Sequence, residues 1–264
     1  LIDKTTLNHL VPEEILKVRS LTKMFGGVKA QDCISFSIEK GIVCGLIGPN
    51  GAGKTTLFNM ITGIYPPDEG EILFMGRSTR KMAVHQLVKA GIARTFQHVE
   101  LFGSMTLLDN VLVGMHVRTR GGFWGAVTRV PWVVQEEKRA RESAEILLEF
   151  TGLTEYAYRP AGELPVGRQK MAEIARALAS EPVLLLLDEP AAGLNAVETE
   201  TLGELIQKVK EKGVTMMLVE HDMSLAMGIS DKIIVLDRGG KLAEGTPRQI
   251  QNNQEVMDAY LGQG

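Results

Sequence analysis

The sequence predicts an α/β fold with a mostly parallel core sheet, antiparallel strands at its N-terminal side and a helical subdomain inserted midway. Three observations predict it. Compact apolar runs at 183–187, 214–219 and 232–236 are separated by helical patterns, the alternation expected of a parallel sheet with helices on both faces. Residues 41–47 form a continuous apolar run, as in a strand covered on both sides, and a helical pattern follows over 53–62. Between 106 and 163 strand signals mostly vanish.

Taken in order, 1–14 reads as a tail, and 15–21 and 33–38 alternate as half-buried strands joined by a Gly26-Gly27 turn. Gly63 and Pro66-Pro67 stop the first helix. Residues 71–75 and 92–97 are shorter strand candidates, whereas 107–115 and 136–150 read as helices flanking a Gly- and Trp-containing stretch. The whole chain, 1–264, is expected to be a single domain with the helical subdomain at about 98–181.

A net charge of −3, with 44% hydrophobic and 23% charged residues, is an ordinary globular balance. It lacks the basic excess of a sequence-independent nucleic-acid binder, so no nucleic-acid partner is expected. Cys33 and Cys44 read as buried free thiols in a reducing compartment, and no Cys/His spacing suits zinc. No apolar run is long enough to span a bilayer, and the polar start has no apolar leader core. A soluble chain is expected, with any membrane role exercised through a partner.

The residues Gly48, Pro49, Asn50, Gly51, Ala52, Gly53, Lys54, Thr55 and Thr56 match G-x-x-x-x-G-K-[ST] between a buried strand and a helix. Glycines let backbone N–H groups turn inward around a phosphate, and the helix N-terminus adds partial positive charge. Lys54 reaches toward the β- and γ-phosphates, and the Thr55 hydroxyl suits Mg²⁺. The alternative, a glycine-rich turn with an incidental lysine, does not explain the strand-loop-helix setting.

Asp188 and Glu189 follow four leucines, at the carboxyl end of a buried strand, where ligands of open α/β sheets bind. Asp188 is read as a Mg²⁺ ligand and Glu189 as the group that orients and polarises a water. The plain alternative is a solvated charge pair. His221 comes after the next apolar strand; a lone histidine is most often structural, but this one is placed to sense a terminal phosphate. Gln97 ends a short strand and is read as a ligand of Mg²⁺ or of the water, against the plain alternative of an exposed glutamine. Leu164, Pro165, Val166, Gly167 and Arg168, then Gln169 and Lys170, open a further helix. Arg168 and Lys170 fall in its first turn, where the helix dipole disfavours cations. Taken alone they read as solvated side chains, and an anion docking there is the alternative.

In this order the phosphate loop, Gln97, residues 164–170, Asp188-Glu189 and His221 resemble the ABC ATPase family, with 164–170 at the place of its LSGGQ-type signature. The resemblance covers nearly everything from Ile15 onward. It is nearest to the longer ATPase subunit of bacterial branched-chain amino-acid importers. The residues that carry it are 23–27 (KMFGG), 94–105 (RTFQHVELFGSM), 191–195 (AAGLN), 220–223 (EHDM), the insertion with Trp124 and Trp132, 244–247 (EGTP) and 259–262 (AYLG).

The resemblance implies an ATPase with ATP and Mg²⁺ as cofactors, peripheral on the cytoplasmic face of a membrane and bound to transmembrane permease subunits. It implies that Phe25 stacks on adenine. It implies a dimer with a second ATPase subunit, crossed by the loop Gly193-Leu194-Asn195, in which each phosphate loop faces the other subunit's signature. Two departures stand out. Pro165 and Val166 replace the usual Ser and Gly of the signature, and Asn195 stands where Asp is common. Asn195 is also placed to cap the following helix, with Glu198 three residues on. Rival readings are an ABC ATPase for lipid or polysaccharide transport, a non-transport ABC protein acting on ribosomes or DNA, and a P-loop kinase. Tandem domains or long coiled-coil insertions would mark the second of these, and neither is present. A kinase leaves residues 164–170 and His221 unexplained.

Overall fold

The structure is a computed structural model that describes residues 13–116 and 131–261, without the side chains of 131–134 and 261. Nearly all of the expected tail, Trp124 and the Trp132 side chain lie outside the described residues. The chain divides into two compact units, Leu1–Leu87 with Gln207–Gly264, and Val88–Ile206. Its elements run β1 (Glu14–Phe25), β2 (Val28–Glu39), β3 (Val43–Ile47), α1 (Lys54–Ile61), β4 (Glu69–Phe74), β5 (Arg77–Ser78), α2 (Val84–Ala90) and β6 (Ile92–Arg94). There follow α3 (Leu107–Met115), α4 (Pro131–Phe150), α5 (Val166–Leu178), β7 (Leu184–Asp188), α6 (Ala196–Glu211), β8 (Thr215–Val219) and α7 (Met223–Ile229). The chain closes with β9 (Lys232–Asp237), β10 (Gly240–Gly245), α8 (Pro247–Gln251) and α9 (Gln254–Leu261).

In the first unit β1 and β2 form the expected antiparallel hairpin, turning at Gly26 with φ 56°. Leu16 faces Ile38, Val18 faces Phe36 and Leu21 faces Ile34, so the period-2 pattern puts one apolar face inward. β4 extends this sheet on the other side of β1. The apolar run in β3 is flanked in parallel by β8 and β9. Every residue of β3 and β8 is buried, as continuous apolar strands require. Ile47, Ala226, Ile233, Val235, Ile250 and Val256 form one apolar cluster, which packs α7, α8 and α9 against the end of β3.

In the second unit β6 and β7 pair in parallel, Ile92 opposite Leu184 and Arg94 opposite Leu186. The helices α3, α4 and α5 gather beside them, as the loss of strand signals predicts. A side chain at Gly114 would collide with the Arg176 carbonyl, so this glycine lets α3 and α5 approach backbone to backbone. Buried Asn110 uses both ends of its amide. Its Nδ2 donates to the carbonyls of Phe102 and Thr106 at 3.1 and 3.0 Å, and its Oδ1 accepts from the Phe102 N–H at 2.9 Å.

Two expectations are corrected. The strand expected over 92–97 stops at Arg94: Thr95 makes one last ladder-like bond to the Leu186 carbonyl, 2.9 Å, and its hydroxyl accepts the Asp188 N–H at 3.4 Å, which turns the chain away. Cys33 is exposed rather than buried. The pairing of β1 with β2 shifts register around Leu21, and Cys33 takes up a left-handed φ of 51° that turns it outward. Cys44 is buried as expected, and burial pushes its thiol up to about 12. A thiol reagent at pH 8 is therefore expected to modify one cysteine, Cys33, in the native protein and the second only on unfolding; colorimetric titration with and without denaturant checks this.

Candidate functional site

The phosphate loop lies in the first unit, between β3 and α1. Gly48, at φ 152°, passes so close to the Leu236 carbonyl that any side chain would collide with it. Gly53, at φ 99°, meets Ala30 and Gln31 in the same way and serves as the N-cap of α1. Gln31 is fully buried on β2 and donates from Nε2 to the Gly53 carbonyl at 2.7 Å. Lys54 is buried, and its ammonium donates to the Gly48 and Pro49 carbonyls at 2.7 and 2.9 Å. From α9 the Tyr260 hydroxyl is paired with the Gly48 backbone, and burial pushes its phenol up to about 12. Thr55 and Thr56 occupy the first turn of α1, whose free N–H groups and dipole favour an anion. This unit also holds Phe25, which is 42% exposed and edge-on to Tyr65 with ring centroids 5.3 Å apart. A half-open ring of this kind is a usable stacking platform. His221 is exposed after β8, and the next residue, Asp222, caps α7 by accepting the Leu225 N–H at 3.0 Å.

The acidic pair lies in the second unit. Asp188 is the last residue of β7, and its Oδ2 is 2.6 Å from Arg94 Nη2, with both side chains buried. The Arg94 guanidinium also stacks over Phe96, 5.3 Å from the ring centroid. Glu189 has a left-handed φ of 49°, and its Oε2 accepts from Gln97 Nε2 at 2.9 Å. The Glu189 carbonyl accepts from the Ala192 N–H at 3.1 Å and from Lys170 Nζ at 3.0 Å. Of the residues read from the sequence, Gln97, Asp188 and Glu189 thus stand together, with Glu189 and Gln97 in direct contact.

Residues 164–168 begin α5 as expected. Leu164 is buried, whereas Pro165 and Val166 are exposed, and Pro165 serves as the helix N-cap at φ −55°, ψ 148° without a side-chain bond. Arg168 lies over Tyr156, 5.6 Å from the ring centroid. Reading Lys170 as a solvated side chain is overturned, because it is buried at 7% exposure. The loop after Gln97 is tied to the same helix. Arg176 donates to the Glu100 carbonyl at 2.6 Å, and the Glu100 N–H donates to Glu173 Oε1 at 2.8 Å. Burial pushes the Glu173 carboxyl above its ordinary range. Asn195 and Glu198 form a reciprocal capping box at α6: Asn195 Oδ1 accepts the Glu198 N–H and Glu198 Oε2 accepts the Asn195 N–H, each at 3.0 Å.

Residues 32–192 match the family described as ABC transporter, which is more than half of the chain. The chain belongs to that family. As an ABC cassette it is a nucleotide-binding domain, and its end, 241–264, matches the description "Branched-chain amino acid ATP-binding cassette transporter". It is 45% identical over 250 residues to the high-affinity branched-chain amino acid transport ATP-binding protein BraF of Pseudomonas aeruginosa, with 94% of this chain and 98% of that protein covered. It is 43% identical to the corresponding LivG protein of Escherichia coli K12, covering 95% and 99%. Among solved structures it is similar to an ABC transporter cassette in its ADP conformation, with a TM-score of 0.82, 34% identity and coverage of 95% and 99%.

The sequence assigns no role to Gln31 or Arg94 in this ABC cassette, and it places Lys170 in solvent. Arg94 carries a local signal as a charge inside the short strand 92–94, and Lys170 carries one as a cation near a helix start. Removing one partner of a buried ion pair strands the other charge, at a cost of about 3–5 kcal/mol. Arg94→Met is expected to destabilise the protein on that order in a denaturant melt, with Arg94→Lys losing less.

Proposed function

We propose that this cassette is the ATP-hydrolysing subunit of an ABC importer for branched-chain amino acids. The observation that carries hydrolysis is Glu189, fixed beside Asp188 with Gln97 on its carboxylate. What supports the solute class is the match of residues 241–264, together with the identity to BraF and LivG. On this reading the chain works as one domain, with a helical subdomain at about 98–181, on the cytoplasmic face of the membrane beneath transmembrane permease subunits. No described helix is long and apolar enough to cross a membrane.

The residues then divide the work. Backbone N–H groups of Gly51, Gly53, Lys54 and Thr55 hold phosphate oxygens, the Lys54 ammonium reaches the terminal phosphates, and Phe25 stacks on adenine. The residues read as Mg²⁺ donors are Thr55 in the first unit and Asp188 with Gln97 in the second, each taken by itself. They offer a hydroxyl, a carboxylate and an amide oxygen, the oxygen donors that ion takes. Mg²⁺, when bound, neutralises charge on the transferring phosphoryl group. Glu189 accepts a proton from the attacking water and aims it, while His221 donates to the terminal phosphate.

Lys54→Ala is expected to nearly abolish hydrolysis while circular dichroism stays unchanged; full turnover by the folded variant would sink the phosphate-loop assignment. Glu189→Gln is expected to keep ATP and accumulate a closed dimer on gel filtration with Mg-ATP. Failure to bind nucleotide would instead reverse the roles of Asp188 and Glu189.

Pro165 supports a heterodimer. It offers neither hydroxyl nor N–H to a phosphate across the interface, and losing such a charge-assisted bond costs on the order of a kcal/mol or more. Alone, the chain should be mostly monomeric with slow turnover, rising when a second ATPase subunit and permease are added. The N-cap backbone at Pro165 also suits serine, so Pro165→Ser should strengthen ATP-driven self-association of the Glu189→Gln form. A tight, fast homodimer of the wild-type chain would show that Pro165 is harmless.

A further inference from the structure

The Glu189 peptide is held from a direction that the assigned roles do not explain. A non-glycine residue at φ 49° needs surrounding contacts to keep it there. From outside the turn its carbonyl accepts from the Lys170 ammonium, at 3.0 Å. Lys170 is 7% exposed, and burying an ammonium is costly unless hydrogen bonds replace its water; the Glu189 carbonyl supplies one such bond. Lys170 stands in the second turn of α5, the helix that Pro165 caps and that starts at exposed Val166. Gln97 thus holds the Glu189 carboxylate, and a side chain of α5 holds its backbone.

We propose that Lys170 is a positioning residue for Glu189, which keeps the strained peptide in place, sets where the carboxylate points, and makes that direction depend on the seat of α5. A displacement of the start of α5, the segment read as facing a partner's nucleotide, is passed through one side chain to this chain's own acid. The inference rests on Glu189 acting on the water.

The test compares Lys170→Met, Lys170→Arg, Glu189→Gln and the double variant Lys170→Met/Glu189→Gln in the full chain. It measures kcat and KM for ATP, the affinity for a fluorescent ATP analogue, and thermal stability. Misplacing a catalytic group by about 1 Å costs on the order of a hundredfold. Lys170→Met is therefore expected to lose roughly ten- to a hundredfold in kcat, with KM and analogue affinity unchanged, and Lys170→Arg to recover much of the loss. In the Glu189→Gln background the same change should remove nothing further. Wild-type kcat in folded Lys170→Met, or a loss that persists in the Glu189→Gln background, overturns the proposal. A merely structural role would lower the melting temperature and nucleotide affinity together, and that result overturns it too. If Lys170→Met does not fold, Lys170→Gln, whose donor is too short to reach the carbonyl, replaces it under the same outcomes. Wild-type turnover by Glu189→Gln would instead remove the role of Glu189, a failure distinct from that of Lys170.

Discussion

Two adjacent carboxylates at the end of a strand buried along its length face a double penalty. Asp188 is taken out of water, and like charges on neighbouring residues repel each other. The second unit answers with a different partner for each. Asp188 sits against the buried guanidinium of Arg94, while Glu189 is turned away by its left-handed backbone and held by Gln97 and Lys170. The short strand β6 supplies Arg94 and leads directly to Gln97, so its parallel pairing with β7 is what gives both acids their neighbours. With the pairing slipped by one residue, the Arg94 side chain would point to the other face of the sheet and Asp188 would be a buried, uncompensated charge.

The phosphate loop solves a different problem, that of bringing backbone close to backbone. Its glycines at 48 and 53 pass where no side chain fits, and the loop is gripped from β2 by Gln31 and from its own Lys54. The shape of the loop therefore depends on an antiparallel hairpin outside it, and a change at Gln31 should be felt in the loop.

What could be read from the sequence follows from the range of the interactions. The phosphate loop, the capping box of Asn195 and Glu198, and the runs in β3, β7, β8 and β9 are local, so residue type and spacing identified them. Arg94 with Asp188, Lys170 with Glu189 and Gln31 with Gly53 join positions far apart in the chain, and one sequence carries no record of such pairing. The early end of β6 and the outward turn of Cys33 escaped for a related reason: a hydroxyl bond at Thr95 and a register shift near Leu21 outweighed a regular apolar pattern. Residues 164–168 lead into a helix as their pattern predicts, but the cations along it do unlike things. Arg168 rests on an aromatic ring, whereas Lys170 is drawn inside.

Gly167 has a neighbour that constrains how this chain can change over time. A methyl group there would stand 2.5 Å from Glu198 Oε1, and that carboxylate is already committed to the Asn195 N–H. Alanine at 167 would have to push the carboxylate aside and open the cap of α6. A glutamate shortened to aspartate would clear the space, though alone it would weaken the cap. The start of one helix and the cap of another are thus coupled through a single carboxylate, so a change at 167 is felt at 198 and the reverse.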